Sequence, residues 1–312
     1  MAKAKTKGGV TTAPLSKRIW KNRELYILVL PVVIYFILFH YKPMFGLAIA
    51  FESNFNPRRG VMASGFVGFQ HFITFFTGPF FVSRMWNTLR ISLSMLVFGF
   101  PSPIIFALLL NELRGKIFTR TVQTVTYMPH FISMVVLCSM VREFTNSGGF
   151  INQIAMMFGY DGLSMLNKGG LFLPIYVVSG IWQSIGWDSI VYLAALTGID
   201  MQLYEAAKID GAGRWKQTLH VTLPGILPTI ITMFIMRCGQ IMSVGYEKII
   251  LLYNESTYEA ADVISTYVYR IGLVQRQYSY STAVGLFNSI INFILVILAN
   301  TISRRLTQTS LW

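Results

Sequence analysis

Six stretches of the chain are long, apolar and poor in charge: Leu25–Tyr41, Thr88–Leu110, Thr121–Phe144, Leu171–Thr197, Leu223–Tyr246 and Thr282–Ile302. A helix needs about 20 mostly apolar residues to cross ~30 Å of hydrocarbon. The pattern therefore predicts an all-α membrane protein with six transmembrane helices. Pro31, Pro101, Pro103, Pro129 and Pro228 fall within or near these runs. Membrane helices accommodate such breaks where neighbours satisfy the freed backbone groups. The first run follows a basic segment, as a signal peptide would. It continues past Pro31 with no small-residue cleavage site behind it, so an uncleaved span is expected.

One polar island interrupts the pattern between the fourth and fifth runs. It reads EAAKIDGAGRWKQTLHVTLP, Glu205 to Pro224, with Asp200 just ahead. Asp200 stands where an N-cap would, and Met201–Ala212 contains good helix formers. Gly211 and Gly213 let the chain turn after this short helix. Leu223 and Pro224 are expected to begin the next span. Tyr204, Ala207 and Asp210/Gly211 fall roughly on one helical face. Spacing alone leaves two readings open: a solvated loop that enforces topology, or a docking element.

Charge placement orients the chain. Its net charge is +13, yet only 12% of residues are charged and 54% are hydrophobic. Soluble domains average about 25% charged residues. The basic residues flank apolar runs without interleaved aromatics, so no nucleic-acid footprint is present. Lys and Arg concentrate in the segments that lie inside if the N-terminus is inside: the first 23 residues, Arg114–Arg120, Lys208–Lys216 and Arg304–Arg305. Both termini and the island are therefore expected in the cytoplasm. The organisation predicted is a basic segment 1–24, one transmembrane domain 25–306 with a cytoplasmic loop at about 198–224, and a tail 307–312.

Candidate chemistry is sparse. Cys138 and Cys238 lie inside apolar runs and read as small buried hydrophobes. The histidines are scattered, without metal-ligand spacing. No GxSxG, HExxH or paired aspartates suggest a membrane hydrolase. No GxxxxGK[ST] is present, so no P-loop cradles ATP and no cofactor is expected on this chain. Intramembrane polar groups are costly and point to function. Gln183, Trp187 and Asp188 share a helical face, Arg237 and Gln240 follow, and Asn288 and Asn292 share another face. These seven are the candidate substrate pathway, expected between the fourth, fifth and sixth spans. The competing account is helix packing, with Asp188 and Arg237 as a structural ion pair.

The island also carries a resemblance. Glu205-Ala206-Ala207, three residues, Gly211, nine residues, Val221, one residue and Leu223-Pro224 resemble the EAA signature of ABC-importer permeases. Val221 replaces the family's Ile. VGFQHF from Val67, NTLRISL from Asn87, PHFIS from Pro129 and VGYEKI from Val244 resemble its carbohydrate (maltose/oligosaccharide-type) branch. Within that branch the chain looks most like permeases for oligosaccharides released from complex polysaccharides or glycans. The resemblance implies a type I ABC-importer permease fold in a bacterial plasma membrane. It implies a second permease subunit, two copies of a cytoplasmic ATPase that hold ATP and Mg, an extracellular solute-binding protein and an oligosaccharide substrate. By matching the motif, Glu205, Ala206, Ala207, Asp210, Gly211, Leu223 and Pro224 would couple the permease to the ATPase. The runner-up substrate is a peptide, amino acid or polyamine. A secondary transporter acting alone would need no such island.

Overall fold

The computed structural model describes residues 20, 22–113, 115–307 and 310–311. The basic residues expected at 1–24, apart from Arg23, lie outside these, as do Arg114 and part of the 307–312 tail. Among the described residues, five helices are long and apolar enough to span a bilayer, and a bent pair makes six if it counts as one span. In chain order we number α1 Arg23–Phe51, α2 Gln70–Thr77, α3 Phe81–Asn111, the bent pair α4 Lys116–Phe131 and α5 Met134–Met157, and α6 Gly169–Leu196. The short helix α7 is Met201–Ile209, followed by α8 Arg214–Cys238, α9 Tyr246–Leu252, α10 Ile264–Tyr269 and α11 Tyr278–Thr307.

The first span runs on to Phe51 and the second begins at Phe81, while the third and fifth differ more deeply from the sequence reading. The third, Thr121–Phe144, is not one helix: α4 and α5 meet at 101°. Pro129 sits in the last turn of α4, and Ser133 starts α5 as its N-cap, accepting from Val136 N at 3.4 Å. The fifth, Leu223–Tyr246, begins earlier, at Arg214, and ends at Cys238. Leu223 and Pro224 therefore lie within a continuous helix rather than at its start. Residues beyond Cys238 turn back into the protein, where Met242 and Val244 are buried. Asn292 of α11 holds that turn, accepting from Met242 N at 2.9 Å and donating to Ser243 Oγ at 2.8 Å.

The prolines explain a recurring irregularity. π-helical turns at Ile37–Tyr41, Met95–Gly99 and Thr218–Thr222 are each followed two residues later by a proline: Pro43, Pro101 and Pro224. Proline cannot donate, and its ring clashes with the carbonyl four residues back. In each case that carbonyl lies inside the π-turn. The residue just before the proline donates five residues back instead: Lys42 to Ile37 O, Phe100 to Met95 O, Leu223 to Thr218 O. Widening the turn keeps the chain helical across the membrane.

Three apolar clusters hold the bundle. One joins α3, α5, α6 and α9 through Ile91, Leu137, Phe172 and Ile249. A second joins α3, α6 and α8 through Ala107, Tyr192 and Ile226, nearer the α7 end. A third joins α2, α10 and α11 through Phe75, Ile264 and Val284. By contrast, none of the apolar window of α1 is buried within this chain. Only its final 3-10 turn, Phe45–Phe51, packs along α11.

Arg84 of α3 is paired at a hub. Asp262 accepts from Arg84 Nε at 2.9 Å, from Arg270 Nη2 at 3.0 Å and Nη1 at 3.2 Å, and from Thr266 Oγ1 at 2.8 Å. Its carbonyl takes Asn87 Nδ2 at 3.1 Å, and the Arg84 guanidinium lies 3.8 Å from the Tyr267 ring centre. At the other close approach, Gly186 of α6 lies against α4, where an added Cβ would collide with the Thr126 carbonyl.

Two outcomes follow, read by thermal melting of the purified protein in detergent. Asp262→Ala leaves two partly buried guanidinium groups without their carboxylate and should cost about 1–3 kcal/mol. Gly186→Ala forces backbone against backbone and should cost about 1–3 kcal/mol. Gly285→Ala, where a Cβ meets nothing within 4 Å, is the control and should melt like wild type.

Candidate functional site: a polar half-cavity and an exposed loop helix

One turn of α6 builds most of the site. Gly186 allows α4 to approach, and the end of α4 then lies beside Trp187. The His130 ring stacks on Trp187 with centroids 4.4 Å apart and planes 3° from parallel, while Phe131 meets it edge-on at 5.5 Å. The α4–α5 break exposes the Ile132 carbonyl, and Gln183 Nε2 donates to it at 3.4 Å. Asp188, the next residue after Trp187, faces α8 and accepts from Arg237 Nη2 at 3.1 Å.

Two cavities meet at Arg237 and Gln240, which line both. The one farther from α7 has a volume of ≈ 140 Å³ and is bounded by Ser92, Met95, Tyr176 and Ser243 among others. The one nearer α7 measures ≈ 210 Å³ and is bounded by Phe100, Pro103, Trp187, Asp188 and Tyr192 among others. Their walls come from α3, α6, α8 and the turn after α8. The sixth span, α11, contributes no lining residue, whereas the second, α3, does. Polar character alone could not reveal α3, since Ser92 is its one polar lining residue and its hydroxyl is bonded to the Ile241 carbonyl.

The seven expected pathway residues thus divide. Trp187, Asp188, Arg237 and Gln240 line cavities. Gln183 satisfies the helix break, Asn292 caps the turn after α8, and Asn288 places a buried Oδ1 that has no hydrogen-bond partner among the described residues. The Arg237–Asp188 pair is partly exposed, at 48% and 30% of the side chains. A pair so wetted contributes about 0–1 kcal/mol to stability. Sequence reasoning missed Lys248 of α9. It is 5% exposed, and its Nζ donates to the Tyr176 carbonyl at 2.9 Å and lies 4.6 Å from the Tyr176 ring centre. Burial lowers its pKa to about 8. Among the described residues no carboxylate pairs with it.

At the other end of α6 and α8 sits α7. Asp200 caps it, accepting from Gln202 N at 2.9 Å. The helix ends at Ile209, three residues before the expected Ala212. Gly211 then takes φ +75, with Gly211 N bonded to Lys208 O at 3.0 Å and Ala212 N to Ala207 O at 2.8 Å. Those two bonds form a Schellman cap, which requires a left-handed residue at its centre. Tyr204 and Ala207 turn toward the bundle, and Tyr204 Oη bonds Thr222 Oγ1 at 3.0 Å. Glu205, Ala206, Asp210 and Gly211 face outward, beside Ile209 at 86% and Trp215 at 79% exposure. Leu223 and Pro224 lie about two and a half turns into α8.

Comparison with known proteins agrees with this geometry. The polygalacturonan/rhamnogalacturonan transport system permease protein YteP of Bacillus subtilis is 43% identical over 293 residues, covering 94% of this chain and 91% of that protein. A bacterial alginate ABC transporter, solved in complex with alginate pentasaccharide-bound periplasmic protein, contains a chain that superposes with a TM-score of 0.87. That chain is 44% identical, and the match covers 96% of this chain and all of that one. An amino acid ABC transporter shares the fold alone, at TM-score 0.50 and 15% identity. The fold is thus the all-α permease fold of these transporters, and the chain is a non-catalytic membrane component. The family model for the binding-protein-dependent transport system inner membrane component matches residues 99–308, and the chain belongs to that family.

Proposed function

We propose that this chain is one permease subunit of an ATP-driven importer that passes oligosaccharides, delivered by an extracellular solute-binding protein, into the cytoplasm. The relatives named for polygalacturonan/rhamnogalacturonan and alginate transport support a carbohydrate over a peptide, amino acid or polyamine. Cavities of ≈ 140 and ≈ 210 Å³ are smaller than the roughly 300–1,000 Å³ of ordinary ligand sites. An oligosaccharide therefore needs a second wall, and a second permease subunit supplies it. The excess of Lys and Arg around α7 supports a cytoplasmic position for that loop and both termini. Two copies of an ATPase hold ATP and Mg there, and this chain holds neither.

The observation that carries the proposal is α7 itself. Its outward face, Glu205, Ala206 and Gly211, stands clear of the bundle. Its inward face, Tyr204 and Ala207, is seated on the same helices that line the cavities. Such a helix can be pushed by a partner and pass the push inward.

The Schellman cap gives a test. Gly211→Val places a branched side chain at a positive φ, which unwinds the end of α7. In proteoliposomes holding the complete importer, uptake should fall by about 5–150-fold, the usual span of a lost coupling energy. Membrane abundance should stay unchanged. Gly213→Val is the control, because Gly213 has φ −68 and open space around it. Wild-type uptake by Gly211→Val would refute the coupling role of α7.

A further inference from the structure

Two carboxylates in this chain meet arginine in different ways. Asp262 is saturated by Arg84, Arg270 and Thr266, and it is deeply buried. Asp188 receives one contact, from a single nitrogen of Arg237, in a wall open to the cavities. The other guanidinium nitrogens of Arg237 have no partner among the described residues. Arginine binds a carboxylate best through two parallel N–H bonds, and Asp188 does not use that geometry. A mobile carboxylate that offered both oxygens would compete well for this guanidinium.

The location matters as much as the geometry. Arg237 and Gln240 are the residues shared by the two cavities. A solute moving from one to the other must pass them. The cavity farther from α7 is bordered by Arg237 and by no carboxylate, and Lys248 bonds the carbonyl of Tyr176, one of its walls. Asp188 borders only the cavity nearer α7. Trp187, beside Asp188, offers an aromatic surface for the C–H face of a sugar ring.

We propose that Arg237 reads the carboxylate of a uronate-bearing oligosaccharide as it passes between the cavities, and that Asp188 occupies Arg237 between passages. This rests on the importer reading above. The substrate carboxylate displaces Asp188 to reach the guanidinium. The return of Asp188 then displaces the substrate, so that a strong charge pair does not trap the sugar in transit. Neutral oligosaccharides gain nothing from this exchange.

The experiment uses the complete importer in proteoliposomes, with its own binding protein at saturation. The probes are trigalacturonate and trimannuronate, each beside its methyl ester, and a neutral arabinotriose. Arg237→Gln should lower the acid-to-ester uptake ratio by at least about tenfold, the size expected for one lost charged hydrogen bond. Arg237→Lys, which keeps the charge, should restore most of that ratio. Asp188→Asn, which frees Arg237, should lower the half-saturating concentration of the acid. Membrane abundance and co-purification of the ATPase are measured for each variant. A purely structural ion pair predicts something else: Arg237→Gln and Asp188→Asn would both reduce abundance and leave the ratio unchanged, which overturns the proposal. Wild-type uptake of arabinotriose without either uronate would also overturn it, while the importer reading stood. Wild-type uptake of none of these sugars would overturn both.

Discussion

The crossing of α6 over α4 at Gly186 fixes where the groups of the cavity stand. With no side chain at 186, the Thr126 carbonyl can lie against the helix. Three neighbours on the same stretch of α6 then reach their partners: Gln183 the open carbonyl of Ile132, Trp187 the face of His130, and Asp188 the guanidinium of Arg237. A larger residue at 186 would move α4 as a rigid rod, because packed interiors transmit strain instead of absorbing it. Trp187 would then lose its stacking partner and Gln183 its carbonyl. The polar site and this close helix contact are therefore one feature, held within Gln183–Asp188 of α6.

A second constraint comes from the bilayer, which offers no hydrogen bonds to an unpaired backbone group. Every irregularity in the spans carries its own compensation. Three prolines are preceded by π-turns in which the donors reach five residues back. The α4–α5 break is closed by Ser133 on one side and Gln183 on the other. The turn after α8 is closed by Asn292. Residues that look like a pathway in sequence, Gln183 and Asn292, serve this purpose. Of the seven expected pathway residues, Trp187, Asp188, Arg237 and Gln240 are left facing the cavities.

The hydrophobic pattern carried most of the fold. The fourth and sixth spans end within a few residues of α6 and α11, and the cap of α7 was legible from Asp200 and Gly211. The pattern failed where an apolar run changes direction. Met242 and Val244 are apolar because they are buried in a turn, and Met134 through Leu137 because they begin a new helix. Hydropathy registers the solvent a residue meets and not the direction of the chain, so both runs resembled straight spans. Within the site, charge was legible and partnership was not: Asp188 and Arg237 stood out, but the contribution of α3 did not. Lys248 lay beyond the fifth predicted span, and VGYEKI from Val244, which includes it, marked the family without giving the lysine a role.

The position of α7 ties these features into one mechanical unit. α7 is the link between α6 and α8, and the same two helices carry Asp188 and Arg237. At their α7 ends the helices are wedged together, where Gly225 of α8 lies against Ile199, and Tyr204 pins α7 to Thr222. From Thr222 to Arg237 is 15 residues of helix, about 22 Å at 1.5 Å per residue. A load applied to α7 therefore reaches the cavities through two stiff rods whose far contact is a single, partly exposed ion pair. The near ends are joined by packing and by a partly buried hydrogen bond, and the far ends by this partly exposed pair. Under the proposed importer function, a shift of α6 against α8 would load the Asp188–Arg237 contact, and Arg237 is the side of that contact shared by both cavities.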